Sequence, residues 1–351
     1  MAENNDIFRE FGESIQKSDI NETEKKKIFD ILLNMRNQKI NLMITGGTGV
    51  GKSSTINALF GREISRVGIH AEPETMEIKS YELNDKITLW DSPGLGDGMR
   101  DTEHARKIVE LLRKKDSDGS YKIDLVLVII DAASRDLGTT FSLISDVIVP
   151  NLGDENDKKT RIIAALNKCD AVMPRHWNYG NSTPDDVLTR ELDSRADILR
   201  RRIKDTTGVD VETMYYSAGD KEEGQEQYPP YNLAKLLSLI ISHTPVKKRV
   251  AVLEEVSRDK ETWKRNDGKY GTRIHESVKE TVLEVVSRYV SEGAIKGSEI
   301  GGEIGSLLGE PGRMVGEFVG GVVGSIGGAV KAFVSNAISS IGNFIGGLFG
   351  W

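Results

Sequence analysis

Gly46-Gly-Thr-Gly-Val-Gly-Lys52-Ser53 fills the pattern G-x-x-x-x-G-K-[ST] without a gap. An apolar run, Ile40-Asn-Leu-Met-Ile-Thr45, leads into it, and a helix-like stretch, Ser54-Thr-Ile-Asn-Ala-Leu-Phe60, follows. Strand, glycine loop and helix in that order are the setting in which this pattern cradles phosphates. Glycines let backbone N–H groups converge on an anion, and the helix start adds positive dipole. The candidate phosphate-binding residues are Gly46, Gly47, Thr48, Gly49, Val50, Gly51, Lys52, Ser53 and Ser54. Lys52 would reach the β- and γ-phosphates, and the Ser53 hydroxyl would ligate Mg²⁺.

Three later segments bear on the base and the metal. Ile87-Thr-Leu-Trp-Asp91 reads as a strand ending in Asp91-Ser-Pro-Gly94, a D-x-x-G pattern. Asp91 would hold Mg²⁺ through a water, and the Gly94 N–H would sense the γ-phosphate. Arg161-Ile-Ile-Ala-Ala-Leu-Asn167 is a second strand, ending in Asn167-Lys168-Cys169-Asp170. The Asp170 carboxylate can accept from guanine N1–H and the 2-amino group, a donor pair adenine lacks; a buried carboxylate deprived of it is penalised, so this residue discriminates. Asn167 would help hold the loop, and the Lys168 stem would lie along the ring. In Thr213-Met-Tyr-Tyr-Ser217-Ala218, a backbone N–H near Ala218 would meet guanine O6. Each short motif alone is no more than a turn-rich segment; their order and strand-end placement give them weight.

Taken together these motifs resemble the Era-like branch of the translation-factor-related small GTPases. The phrase Gly-Lys-Ser-Ser-Thr-Ile-Asn-Ala-Leu-Phe-Gly61 is similar to bacterial Era-type and immunity-related GTPases. The resemblance covers residues 40–245 and implies a doubly wound α/β fold, GTP as substrate with GDP as product, and Mg²⁺. It also implies a switch threonine that binds Mg²⁺ and the γ-phosphate. Thr75 is the natural choice, being the only threonine between Thr55 and Thr88. The expected metal set is therefore Ser53, Thr75 and Asp91, and the expected catalytic set Lys52, Thr75 and Gly94. One departure matters. Many small GTPases place a glutamine after D-x-x-G to orient the attacking water, and here that position is Leu95. The helper must lie elsewhere: a switch-loop backbone group, a potassium ion, or a group from a second subunit. Arg66, His70 and Arg100 are side-chain candidates, although solvated loop residues would look the same.

The rest of the core alternates strand and helix. Strands are expected at 40–45, 78–83, 87–91, 123–130, 161–167 and 213–217, with 123–130 the buried centre. This is a mostly parallel, doubly wound sheet with its ligand at the carboxyl ends of the strands. Residues 1–39 read as two N-terminal helices with a break at Asn21-Glu-Thr-Glu24, an amphipathic cover for the domain at 40–245. Met173 to Pro184 is an aromatic, turn-rich insertion. Residues 246–292 are charged and helix-periodic, two helices in a stalk or small bundle interrupted at Asn266-Asp-Gly268.

After Gly293 glycine recurs at 293, 297, 301, 305 and 309, then at 312, 316, 320, 324 and 328, then at 342, 346 and 350. Each costs a solvated helix about 1 kcal/mol relative to alanine, so something must offset it. The small-xxx-small spacing suits close helix packing, and 293–351 is expected to be a glycine-zipper tail for oligomerisation or membrane association. Ala332 to Trp351 is uncharged and long enough to span, although Ser335, Asn336, Ser339, Ser340 and Asn343 dilute it.

Composition bounds the alternatives. Net charge is −7 and 29% of the 351 residues are charged, which argues against nucleic-acid binding by field alone. The single cysteine, Cys169, excludes a disulfide framework and suits a reducing cytosol. No basic-then-apolar leader follows Met1, so a cytoplasmic protein is expected, with the tail lying on or inserted in the inner membrane. Two rival classes are a ribosome-associated Era-like GTPase and a membrane-acting effector restrained by nucleotide.

Overall fold

The computed structural model describes residues 7–16, 22–61, 79–83, 86–92, 99–134, 138–219, 228–289 and 327–350. In chain order they form α1 (Ile7–Gln16), α2 (Glu22–Arg36), β1 (Ile40–Thr45), α3 (Lys52–Phe60), β2 (Lys79–Glu82), β3 (Ile87–Ser92), α4 (Met99–Arg113), β4 (Leu125–Asp131), α5 (Gly138–Ser142) and α6 (Glu155–Thr160). Then follow β5 (Ile162–Asn167), β6 (Trp177–Asn178), β7 (Thr183–Pro184), α7 (Asp186–Thr207), β8 (Glu212–Tyr215), α8 (Leu233–His243), α9 (Arg249–Glu254), α10 (Tyr270–Tyr289) and α11 (Gly327–Phe349).

Six strands make the main sheet in the order β2-β3-β1-β4-β5-β8. The β3–β1, β1–β4, β4–β5 and β5–β8 pairs are parallel, and β2 joins antiparallel at the edge. The strands read as apolar runs because both faces are covered. Period-two alternation then splits each strand between two cores. Leu42, Ile44, Leu125, Leu127, Ile129, Ile163 and Ala165 face one side with α3 and α8. Met43, Val126, Val128, Ile130, Ile162, Ala164 and Leu166 face the other, with α4 and α7. The expected fold class and all six expected strands are present, with ends moved by a residue or two.

The terminal helices share one face. Phe8, Ile15 and Met35 from α1 and α2 belong to the same core as α3, α8, α9, α10 and α11. The apolar stripe of the last helix, Val334, Ala337, Ile341, Phe344, Ile345 and Leu348, is buried against α1 and α10, a spacing of three and four that keeps it on one helix face. Burial of each larger member contributes roughly 1.5–3 kcal/mol. Phe349 lies 5.6 Å from the Trp263 ring, and the Arg258 guanidinium sits 4.5 Å over Phe344. Gly342 opens toward α10, where an added Cβ would meet His275 Nε2 at 3.6 Å. The glycine series from 293 to 324 lies outside the described residues. Among the described residues no helix is long and apolar enough to cross a membrane, so spanning by the final stretch finds no support; its five Ser and Asn residues lower its hydropathy.

Polar ties fix the C-terminal helices to the sheet. Lys248 Nζ donates to Asp124 Oδ1 at 2.7 Å and Oδ2 at 2.8 Å, and Asn41 N donates to the same carboxylate at 2.9 Å. Burial pushes the Asp124 carboxyl up, against the pull of Lys248. Breaking such a pair from one side leaves an uncompensated buried charge. Ser257 N donates to Leu59 O at 2.8 Å, and Trp263 Nε1 to Ser257 O at 2.9 Å. Thus the segment after α9 runs from the end of α3 to the last helix.

Candidate functional site

The glycine loop leaves the carboxyl end of β1 and enters α3. Gly46 has φ 145° and lies so close to β4 that a Cβ would fall 2.1 Å from Ile129 O. Gly51 has φ 93°, and a Cβ there would fall 2.3 Å from Asn167 Nδ2. Only glycine meets both demands. Gly51 is also the N-cap of α3; it supplies no side-chain cap, and the first turn carries no acidic residue. The orphan N–H groups of that turn are therefore not claimed by a side chain of the cap. Val50 is buried, while Thr48, Gly49, Ser53 and Ser54 are exposed. Lys52 Nζ donates to Gly46 O at 3.0 Å and Gly47 O at 3.2 Å, folded back over the loop.

Asn167, at the end of β5, ties two loops together. Its Nδ2 donates to Val50 O at 2.8 Å, and its Oδ1 accepts from Ala218 N at 3.1 Å. Ser217 is held by paired backbone bonds to Tyr231, at 3.1 and 2.9 Å, and its Oγ accepts from Gly219 N at 3.3 Å. Lys168 adopts a left-handed φ of 60°, and its Nζ reaches Asp131 Oδ2 at 3.0 Å. Asp170 Oδ1 is buried and has no hydrogen-bond partner. A buried carboxylate oxygen left in this state is costly and marks a position poised for a donor. Beside it Cys169 is fully buried, and burial drives its thiol well above the ordinary range.

β3 pairs with β1 so that Asp91 stands opposite Ile44, two residues before the glycine loop. That register position is as far as Asp91 is described. Thr75, Gly94, Arg66, His70 and Leu95 lie outside the described residues, and Arg100 is placed only as a position in α4. Among the described residues no group of three or more His, Cys, Asp or Glu could hold a metal ion. The oxygen donors of the sequence, Ser53 with Thr75 and Asp91, are of the hard class that suits Mg²⁺ shared with phosphates.

Two participants were not foreseen from sequence. Asp131 terminates the apolar β4 and meets Lys168; a carboxylate ending a central strand was the available signal. Tyr216, one residue before Ser217, is fully buried with its hydroxyl 2.7 Å from Thr55 Oγ1. The insertion after Asp170 is an ordered small hairpin, β6–β7, rather than an open loop. Trp177 packs edge-on to Tyr231 at 5.6 Å, Arg265 Nε donates to Asn181 O at 3.1 Å, and Tyr179 rests on Tyr228 at 5.6 Å.

Residues 41–168 match the family described as 50S ribosome-binding GTPase. The chain carries a P-loop GTPase domain. YkfA of Escherichia coli (strain K12) is 34% identical over 137 residues, 38% of this chain and 44% of that protein. Septin-9 of Mus musculus is 33% identical over 86 residues, 21% of this chain and 15% of that protein. The chain thus spans less than half the length of these relatives. Among solved structures, Toc33 from Arabidopsis thaliana in complex with GDP and Mg²⁺ superposes with a TM-score of 0.38 at 16% identity, covering 62% of this chain and 87% of that one. The family match runs from β1 to β5 and leaves α7, β8, α8 and both sets of terminal helices outside it.

Proposed function

We propose that the protein is a GTP-hydrolysing molecular switch. The observation that carries this reading is the buried, unpartnered Oδ1 of Asp170, on a loop that Asn167 ties to the glycine loop. A purine offering adjacent N1–H and 2-amino donors fits that carboxylate, and adenine does not. Gly46 to Ser54 would hold the phosphates by backbone N–H groups, with Lys52 exchanging its two loop carbonyls for phosphate oxygens. Lys168 would lie along the base, and Ser217 and Ala218 would close its edge. Ser53, Thr75 and Asp91 would hold Mg²⁺, which would supply positive charge against the charge developing on the phosphates. Lys52, Thr75 and the Gly94 N–H would stabilise the transferring phosphoryl group. The Era-like subclass, cytoplasmic location and leucine at position 95 are parts of the same reading. Leu95 cannot orient water, so slow intrinsic hydrolysis that rises on self-association is expected.

The tail takes a definite part in it. The last helix buries its apolar stripe inside the chain, so it must leave its seat against α1 and α10 before it can join a second copy or a membrane surface. The route from the end of α3 through Ser257 and Trp263 to Phe349 would carry the nucleotide state to that seat.

The test is phosphate release from GTP across a range of protein concentrations, for the wild type and Lys52→Ala. A rate per protomer that climbs with concentration, and loss of at least about 100-fold in Lys52→Ala, is the expected result; a wild type that neither binds nor turns over GTP would end the proposal. A second reading, a ribosome-associated GTPase, draws on the description of the matched family. Nucleotide-dependent co-sedimentation with ribosomes would favour it.

A further inference from the structure

Tyr216 lies in the Thr213–Ala218 segment, where only the backbone near Ala218 is expected to meet the base, yet its own side chain ends on Thr55 of the phosphate-loop helix. Both Tyr216 and Thr55 are fully buried, and their hydroxyl oxygens are 2.7 Å apart. Thr55 Oγ1 donates to Gly51 O at 2.8 Å, and Thr55 N donates to the same carbonyl at 2.9 Å. A threonine hydroxyl has one proton. That proton is committed to Gly51, so the proton between the two hydroxyls belongs to Tyr216. Burial pushes the phenol far up, so it remains a donor at every physiological pH.

The far end of Tyr216 is equally fixed. Its N donates to Leu166 O at 2.8 Å, and its O accepts from Cys169 N at 3.2 Å. A continuous run of hydrogen bonds therefore leads from the Asn167–Asp170 loop through the Tyr216 ring to Thr55 and on to Gly51. Gly51 is the left-handed N-cap whose conformation aims the first N–H groups of α3. Its carbonyl is gripped twice by Thr55, and Tyr216 sets the rotamer that makes the second grip.

We infer that Tyr216 is a positioning residue for nucleotide binding, holding the Gly51 cap of the phosphate loop in register with the base-binding loop through Thr55. The inference rests on the GTP reading. It is distinct from the tie made by Asn167, which acts on Val50 and Ala218 rather than on the cap.

Release of a fluorescent GDP analogue from the full chain tests it, in wild type, Tyr216→Phe, Thr55→Val, Thr55→Ser and the Tyr216→Phe/Thr55→Val pair. Tyr215→Phe is the structural control. Tyr215 Oη donates to Asp193 Oδ1 at 3.0 Å on the α7 side of the sheet, so its loss removes a bond of the same kind away from α3. Release about three- to tenfold faster is expected in Tyr216→Phe and Thr55→Val, the worth of roughly one buried hydrogen bond. Thr55→Ser, which keeps the hydroxyl, and Tyr215→Phe should release at the wild-type rate. The paired variant should be no faster than the singles, since they break one chain. Equal release in Tyr216→Phe and Tyr215→Phe, or additive effects in the pair, would overturn the inference while leaving GTP binding intact. If Tyr216→Phe does not fold, Thr55→Val and Thr55→Ser decide: fast and wild-type respectively supports it, both wild-type defeats it. A wild type that binds no guanine nucleotide defeats the GTP reading, and this inference with it.

Discussion

Asp170 and Gly51 show how much chemistry one position carries. Asp170 stands at the turn after β5 with one carboxylate oxygen buried and unpartnered, a cost the fold bears unless a ligand supplies donors. Removing the carboxylate should weaken binding of a guanine nucleotide by about 1.5–3 kcal/mol, roughly 10- to 150-fold. Competition titrations of Asp170→Ala with GTP and ATP are the check: affinity for GTP should fall toward that for ATP. A variant that still prefers GTP as strongly as wild type would place base recognition elsewhere. Gly51 illustrates the opposite case, a residue chosen for what it lacks, since any Cβ collides with the amide of Asn167.

At the scale of elements, the start of α10 is bound to α8 by a polar cluster rather than by apolar packing alone. Asp267 Oδ2 accepts from Lys235 Nζ at 2.7 Å and Asn232 Nδ2 at 3.2 Å, and Oδ1 accepts from Tyr270 Oη at 2.6 Å. Burial, the largest influence, pushes the Asp267 carboxyl up, but the bonds from Lys235, Tyr270 and Asn232 outweigh it and hold the group below its ordinary value. A carboxyl depressed in the folded state lends stability that is complete above its unfolded value of about 3.9 and is lost as pH falls through the folded one. Thermal unfolding followed from pH 5 down to pH 3 should therefore show a falling midpoint. In Asp267→Asn the midpoint should start lower at pH 5 and fall less over that interval. An identical slope in the variant would remove Asp267 from the account.

At the scale of the molecule, the N-terminal and C-terminal helices are not appendages. Phe8, Met35, Trp263 and Ile341 sit in one core with Leu42 and Leu127 of the sheet. Truncation that removes residues 327–351 strips cover from α1 and α10. The expected outcome is a lower melting temperature, by several degrees or more given about 1.5–3 kcal/mol per large buried side chain, with self-association of the exposed face by size-exclusion chromatography. A truncated chain that melts like the full one and stays monomeric would show that the seat contributes nothing to stability.

The sequence by itself determined the α/β fold and the glycine loop that leads from β1 into α3. The P-loop, D-x-x-G and N-K-x-D motifs are short and local, and their backbone demands, glycine at 46 and 51 above all, leave few other residues possible. Strand positions were legible because a strand buried on both faces reads as an apolar run. Only the tertiary structure decided where the helical additions go. The stripe from Val334 to Leu348 reads equally well as a membrane, oligomer or intramolecular face, because amphipathic spacing states that a face is to be buried and not against what. Asp131 and Tyr216 were hidden for a related reason. Their roles come from partners 37 and 161 residues away, Lys168 and Thr55: the carboxylate that ends β4 marks Asp131 as unusual without naming its partner, and nothing local marks Tyr216.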